Sequence, residues 1–173
     1  NMTFSIGISV YPRDGVDSAK LIKNADAAMY YAKKTGRNNY QFYSQQMNSQ
    51  AAHRLALEVD LRYAVARREL VVHYQPKVDA LHKNLIGAEA LLRWNHPKLG
   101  LLSPSNFISI AEESGLIVHI GQWVIQETLR QNKEWFDQGL AYVPISVNLS
   151  AVQFNNKYLV ESLRMLLSEV AMP

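Results

Sequence analysis

The sequence has 173 residues, 48% hydrophobic and 19% charged, a profile that excludes a disordered tail and supplies one globular domain or pieces of two. Its zero cysteines exclude disulfide scaffolds, thiolate zinc sites and cysteine nucleophiles, and fit a reducing compartment. The 18 Lys and Arg against 15 Asp and Glu leave a charge of +3 spread along the chain, which reads as a solvated mixed surface and not as a clustered nucleic-acid footprint.

Residues 3–11 alternate, with Phe4, Ile6, Ile8 and Val10 on one face and Thr3, Ser5, Gly7 and Ser9 on the other. That is the period of a half-buried strand whose apolar side faces a core. After a turn at 12–15, Asp17 or Ser18 is placed to cap a helix with a buried stripe of Leu21, Ala25, Ala28 and Ala32, flanked by Ile22 and Met29 and ended at Gly36. Residues 39–43 read as a returning strand. A strand, helix and strand unit of this size is too small to close a core alone. The uncharged polar stretch 44–50 marks a boundary. A helix with Leu57, Leu61 and Val65 at i, i+4 and i+8 follows it as a connector between two domains.

Residues 70–78 and 85–94 read as strands joined by a turn over 79–84, a connection short enough to require an antiparallel hairpin. A loop over 95–102 leads to Ser103 and Pro104, the N-cap and first residue of a helix that ends near Gly115. A longer amphipathic helix is expected over 116–138, closed by Gly139, then a strand over 143–149 and a last helix over 156–170. This order predicts an α/β architecture with a partly parallel sheet.

The eight glycines form neither a GxxxxGK[ST] phosphate loop nor a GxGxxG turn, and the five histidines include no HExxH pair. No nucleophile elbow is visible. On the second hairpin strand, the period of two sets Glu89, Leu91 and Arg93 on one face, so a carboxylate and a guanidinium project from an otherwise apolar strand. An isolated buried carboxylate is costly. Glu89 is therefore compensated by a salt bridge to Arg93 or by a hard divalent cation, which favours carboxylate and amide oxygens. Asn148, polar near the end of an apolar strand, stands where barrel folds place functional groups, or else simply begins a turn. Lys33 and Arg37, at a helix end, either complement the helix dipole or bind phosphate. Spacing leaves these alternatives open.

TFSIGISVYPRDG at 3–15, ADAAMY at 25–30 and AKKTGRNNY at 32–40 closely resemble the C-terminal end of a GGDEF domain, the diguanylate cyclase fold. YQPKV at 74–78, EALLRW at 89–94, FISIAEESG at 107–115, IGQWV at 120–124 and VNLS at 147–150 resemble the N-terminal half of an EAL domain, the cyclic di-GMP phosphodiesterase. Five motifs in family order behind a GGDEF tail make the resemblance specific. It implies a strand-helix-strand remnant of an α+β GGDEF domain over 1–44, a connecting helix over 45–66, and half an EAL domain over 67–173. That half is expected to be a partial (β/α) TIM-like barrel with an antiparallel first hairpin.

The resemblance further implies that Glu89 is a catalytically essential metal ligand and Asn148 a second ligand, that Gln75, Leu91 and Arg93 line the cyclic dinucleotide, and that Lys33 and Arg37 contact a nucleoside triphosphate in the cyclase half. The implied reaction is hydrolysis of cyclic di-GMP to linear diguanylate by water activated by Mg²⁺ or Mn²⁺. The implied partners are cyclic di-GMP and a second copy of the protein, joined through the EAL domain. The alternative is a degenerate EAL module that binds cyclic di-GMP as a sensor without cleaving it. The GGDEF signature loop would lie before Asn1, and the remaining EAL acids and a lysine beyond Pro173. The chain, which stops at Met172 and Pro173 with no helix terminator, is accordingly expected to be a fragment that is inactive alone. No uncharged apolar run approaches the ~18 to 20 residues needed to cross a bilayer, and the N-terminus lacks the order of a signal peptide. The expected location is the cytoplasm, with any membrane anchor of the parent upstream.

Overall fold

A Cβ on Gly7 would lie 1.9 Å from the carbonyl oxygen of Ala25 and 2.2 Å from the amide nitrogen of Met29, so only glycine lets a helix cross the first strand this closely. The computed structural model describes residues 3–140 and 142–170; the start at Asn1 and the stop at Met172 and Pro173 lie outside the described residues. It divides into two units, Asn1–Ala56 and Leu57–Pro173. In the first, β1 (Ile6–Ile8) and β2 (Tyr40–Phe42) pair in parallel, Ile6 opposite Tyr40 and Ile8 opposite Phe42. The crossover between them is α1 (Ser18–Lys34), capped where the Asp17 side chain accepts the Lys20 amide. Gly36 follows the helix with φ of 108°, as expected for its end.

Three expectations change in this unit. The first strand is only three residues long, and its sides are reversed: Phe4 and Ile6 are exposed, while the Gly7 side lies under α1. The buried residues of α1 are Asn24, Ala28 and Ala32, whereas Ile22 is exposed. Asn24 is tolerated there because its Nδ2 donates to the Asp14 carbonyl and its Oδ1 accepts from Asn48 Nδ2. The polar stretch at 44–50, read as a boundary, leads directly into the connecting helix. Helix α2 (Gln45–Ala64) includes most of it, and Asn48 donates to the Tyr43 hydroxyl at 2.7 Å.

In the second unit, β3 (Leu70–Val78) and β4 (Leu85–His96) form the expected antiparallel hairpin, with Gln75 opposite Glu89 and His73 opposite Leu91. Asp79 fixes the turn by accepting the Leu81 and His82 amides at 3.1 and 2.8 Å. These bonds, with one to the His82 ring, hold its carboxyl below the usual carboxylate range. The other edge of β4 is shared. Trp94–His96 pairs antiparallel with β5 (Gly100–Leu102), and Ala88–Ala90 pairs parallel with β6 (Ile145–Val147). β5 lies in a stretch expected to be loop, and β6 is shorter than the expected 143–149. The bend before β5 is held by His96, whose Nδ1 accepts the Lys98 and Leu99 amides.

Pro104–Asn106 is a 3-10 turn, and Ser103 before it makes no side-chain cap bond. It leads into α3 (Ile108–Glu113) and α4 (Ile117–Asp137), with Gly115 and Gly139 both in the left-handed region after the helices they close. The chain then forms α5 (Ala151–Phe154), a short helix the hydrophobic period does not mark, and α6 (Leu159–Val170). Ser150 starts α5 through a reciprocal capping box with Gln153. Leu57, Leu61, Leu70, Trp94, Phe107, Ile110, Ile117, Ile120 and Val124 make one core on the helical side of the sheet. Trp94 is fully buried, packs edge-on to Phe107 and donates Nε1 to Glu69 Oε2 at 3.0 Å. A hairpin, helices on one face and a returning parallel strand form an α/β unit that opens a (β/α) TIM-like barrel. No helix among the described residues is long and apolar enough to cross a membrane.

Candidate active site

Because the even-numbered residues Ala88, Ala90 and Trp94 of β4 turn toward the core, Glu89, Leu91 and Arg93 take the opposite face. Register extends that face sideways. Gln75 of β3 lies opposite Glu89, and Ser146 of β6 is its partner on the other edge. Lys77, two residues on from Gln75, and Asn148, two on from Ser146, reach the same carboxylate. Asn148 Nδ2 donates to Glu89 Oε1 at 2.8 Å, while Lys77 Nζ stands 3.7 Å from Glu89 Oε2 and donates to Ser146 Oγ at 2.9 Å.

Gly87 makes the approach of β6 possible. A Cβ there would meet the Pro144 carbonyl oxygen at 2.8 Å, and that same oxygen accepts the Ala88 amide at 3.0 Å. Gly87 is also the register partner of Lys77, so no side chain opposite blocks the lysine from reaching Glu89.

The Glu89–Arg93 salt bridge considered from the sequence is replaced by another. Arg93 Nη1 donates to the Leu92 carbonyl at 2.8 Å, and the ion pair of Glu89 is with Lys77. Lys77, whose register partner is Gly87, is the diagonal cross-strand neighbour of Glu89, a separation of about 7–8 Å between backbones that a long lysine stem spans. Lys77 is the site residue that sequence reasoning missed. Its signal was the period of two that sets it on the same face of β3 as Gln75, a residue named only through the family resemblance, combined with the register of the hairpin. Leu91 and Asn148 also line a cavity of about 280 Å³ with Pro104, Glu112 and Ser150.

Glu89 on β4 and Asn148 just after the end of β6 together offer carboxylate and amide oxygens, a hard donor set that fits Mg²⁺ or Mn²⁺ better than a soft metal. Among the described residues no group of three or more His, Asp or Glu converges to hold a metal ion, and this pair by itself offers one carboxylate and one amide. In the first unit, Lys33 is exposed in the last turn of α1, while Arg37 lies beyond the helix with φ of 55° and its amide donating to the Ala32 carbonyl. The helical i, i+4 relation that their spacing suggests is therefore not formed.

Family comparison matches residues 58–173 to the EAL domain and residues 1–39 to the diguanylate cyclase GGDEF domain. The bifunctional diguanylate cyclase/cyclic di-GMP phosphodiesterase MucR of Pseudomonas aeruginosa is 54% identical over 160 residues, covering 92% of this chain and 23% of that protein. The cyclic di-GMP phosphodiesterase PdeR of Escherichia coli is 41% identical over 166 residues, covering 96% of this chain and 25% of that protein. The chain thus spans about a quarter of the length of these relatives. Among solved structures, the PaMucR phosphodiesterase in complex with c-di-GMP superposes with a TM-score of 0.65 at 51% identity, over 68% of this chain and 47% of that one. The FimX EAL domain of Xanthomonas citri with c-diGMP gives 0.61 at 25% identity, over 73% and 48%.

Proposed function

This chain belongs to the EAL domain family and carries the tail of a GGDEF domain ahead of it, and from that premise we propose that its full-length protein hydrolyses cyclic di-GMP to linear diguanylate at the Glu89 face. The observation that carries the reading is the convergence of Glu89 and Asn148, 2.8 Å apart, on the open face of a sheet whose other face is packed with helices. In this reading residues 1–44 are the GGDEF part, 45–66 a connecting helix and 67–173 the EAL part.

A bound Mg²⁺ or Mn²⁺ would supply Lewis-acid activation of water and charge for the phosphate oxygens. Glu89 and the Asn148 amide oxygen would hold it, together with donors from outside this chain. Arg93 presents a planar fork to the phosphate, Gln75 a hydrogen-bonding amide beside Glu89, and Leu91 an apolar wall for the nucleotide. The oxygen of water forms the new bond to phosphorus, one P–O ester bond breaks, and the leaving oxygen takes up a proton. Lys33 and Arg37 serve the triphosphate of the GGDEF part. The protein works in the cytoplasm and dimerises through its EAL domain.

Replacing Glu89 with Gln keeps size and hydrogen bonding but removes the ligand charge. In the full-length protein, hydrolysis is expected to fall by at least ~10²-fold, about 2.7 kcal/mol of barrier, with folding largely kept. Near-normal turnover of Glu89→Gln at saturating Mg²⁺ would overturn the assignment. A second reading, the non-cleaving sensor, is favoured by the Lys77 ammonium already compensating Glu89. Cyclic di-GMP bound by the unsubstituted protein without linear product would decide for it.

A further inference from the structure

Both oxygens of the Glu89 carboxylate are engaged, and by different strands. Oε1 accepts from Asn148 after β6, and Oε2 faces the Lys77 ammonium of β3 at 3.7 Å. Lys77 is anchored a second time, through its 2.9 Å hydrogen bond to Ser146 Oγ. An ammonium this close to a metal-ligand oxygen stands where a divalent cation would feel it directly. The two cations cannot share Glu89 without repulsion between three positive charges, because only the single negative charge of Glu89 lies between them.

We propose that Lys77 is a positioning residue that acts as a resident counter-cation of Glu89, holding the carboxylate in place while the metal is absent and competing with the metal for it. The inference rests on the reading of Glu89 as a metal ligand. The side chain of Lys77 is 44% exposed and has a four-carbon stem with freely rotating bonds, so it can leave without disturbing the core. The group able to receive it on this face is an anion, such as the phosphate of a bound dinucleotide. Lys77 then passes from Glu89 to phosphate as the metal arrives, and ligand and metal favour each other's binding by the same factor.

The test measures Mn²⁺ alone, by electron paramagnetic resonance of the free ion, on the full-length protein without nucleotide. Lys77→Met and Lys77→Gln remove the charge, and the second keeps a hydrogen-bonding group for Ser146. Both are expected to tighten Mn²⁺ binding by about three- to tenfold, the scale of one half-exposed charge acting on a divalent ion. Lys77→Arg keeps the charge and is expected to stay at the affinity of the unsubstituted protein. Unchanged or weaker Mn²⁺ binding in Lys77→Met and Lys77→Gln overturns the proposal, as does Lys77→Arg rising equally with them. Cyclic di-GMP binding by the unsubstituted protein is measured alongside; its absence would sink the functional reading, whereas the role of Lys77 is read from Mn²⁺ alone.

Discussion

Arg93 has five N–H donors in a rigid fork and directs Nη1 to the carbonyl of Leu92, 2.8 Å away. A neutral carbonyl orients the guanidinium without cancelling its charge. Lys77 is placed differently, beside a carboxylate that does cancel it. The two cations of this face therefore differ in what they offer an incoming anion, and Arg93 is the one oriented in advance. Hydrogen bonds to charged groups contribute roughly 1.5–3 kcal/mol, so Arg93→Ala is expected to weaken cyclic di-GMP binding about tenfold or more. Arg93→Lys should recover part of the loss, since an ammonium restores the charge but not the two-point fork. Calorimetry on the full-length protein reads both. Equal affinity across the three proteins would make Arg93 a structural residue whose work ends at the Leu92 carbonyl.

At the scale of elements, the site depends on how closely β6 can lie beside β4. The Cβ of Gly87→Ala would meet a backbone oxygen, Pro144 O, at 2.8 Å, and a backbone atom cannot rotate away. β6 must then move outward, lengthening the Ala88–Pro144 hydrogen bond and withdrawing Asn148 from Glu89. The substitution is expected to cost about 1–3 kcal/mol, as overpacking does, and to weaken Mn²⁺ binding in parallel. A urea midpoint and a metal affinity both left unchanged would mean that β6 is seated by other contacts. Much of this geometry is legible in sequence because it follows local rules: alternation sets the Glu89, Leu91 and Arg93 face, and Asp17, Gly36 and Gly139 mark helix ends. The side of β1 that meets α1 was misread because hydrophobic period counts apolar side chains, whereas the close approach at Gly7 depends on having none. β5 and α5, three and four residues long, are too short to carry a period. The Lys77–Glu89 pair is set by hairpin register, which is fixed at the Asp79 turn and cannot be read from either strand alone.

For the whole molecule, the decisive quantity is the apolar surface each unit leaves uncovered. In the first, Phe4 at 66%, Ile6 at 54%, Tyr40 at 62% and Phe42 at 50% exposure share the side of the two-stranded sheet away from α1. In the second, Phe154, Tyr158, Val160 and Met165 are exposed on and around α5 and α6, and β6 pairs along only one edge among the described residues. Patches of this kind and unpaired edges promote association between chains. The Glu89 face is likewise short of charge for a divalent ion, since Glu89 and Asn148 bring one negative charge between them and Lys77 compensates it. The 173-residue polypeptide, produced by itself, is therefore expected to self-associate as its concentration rises, to unfold over a broad urea range, and to release no linear diguanylate with Mg²⁺ or Mn²⁺. Light scattering, a urea titration followed by two probes, and product chromatography read the three expectations separately. A monodisperse monomer that unfolds sharply and turns over cyclic di-GMP would show that the exposed faces are not docking deficits, and that the Glu89 face completes its ligand shell from residues within this chain.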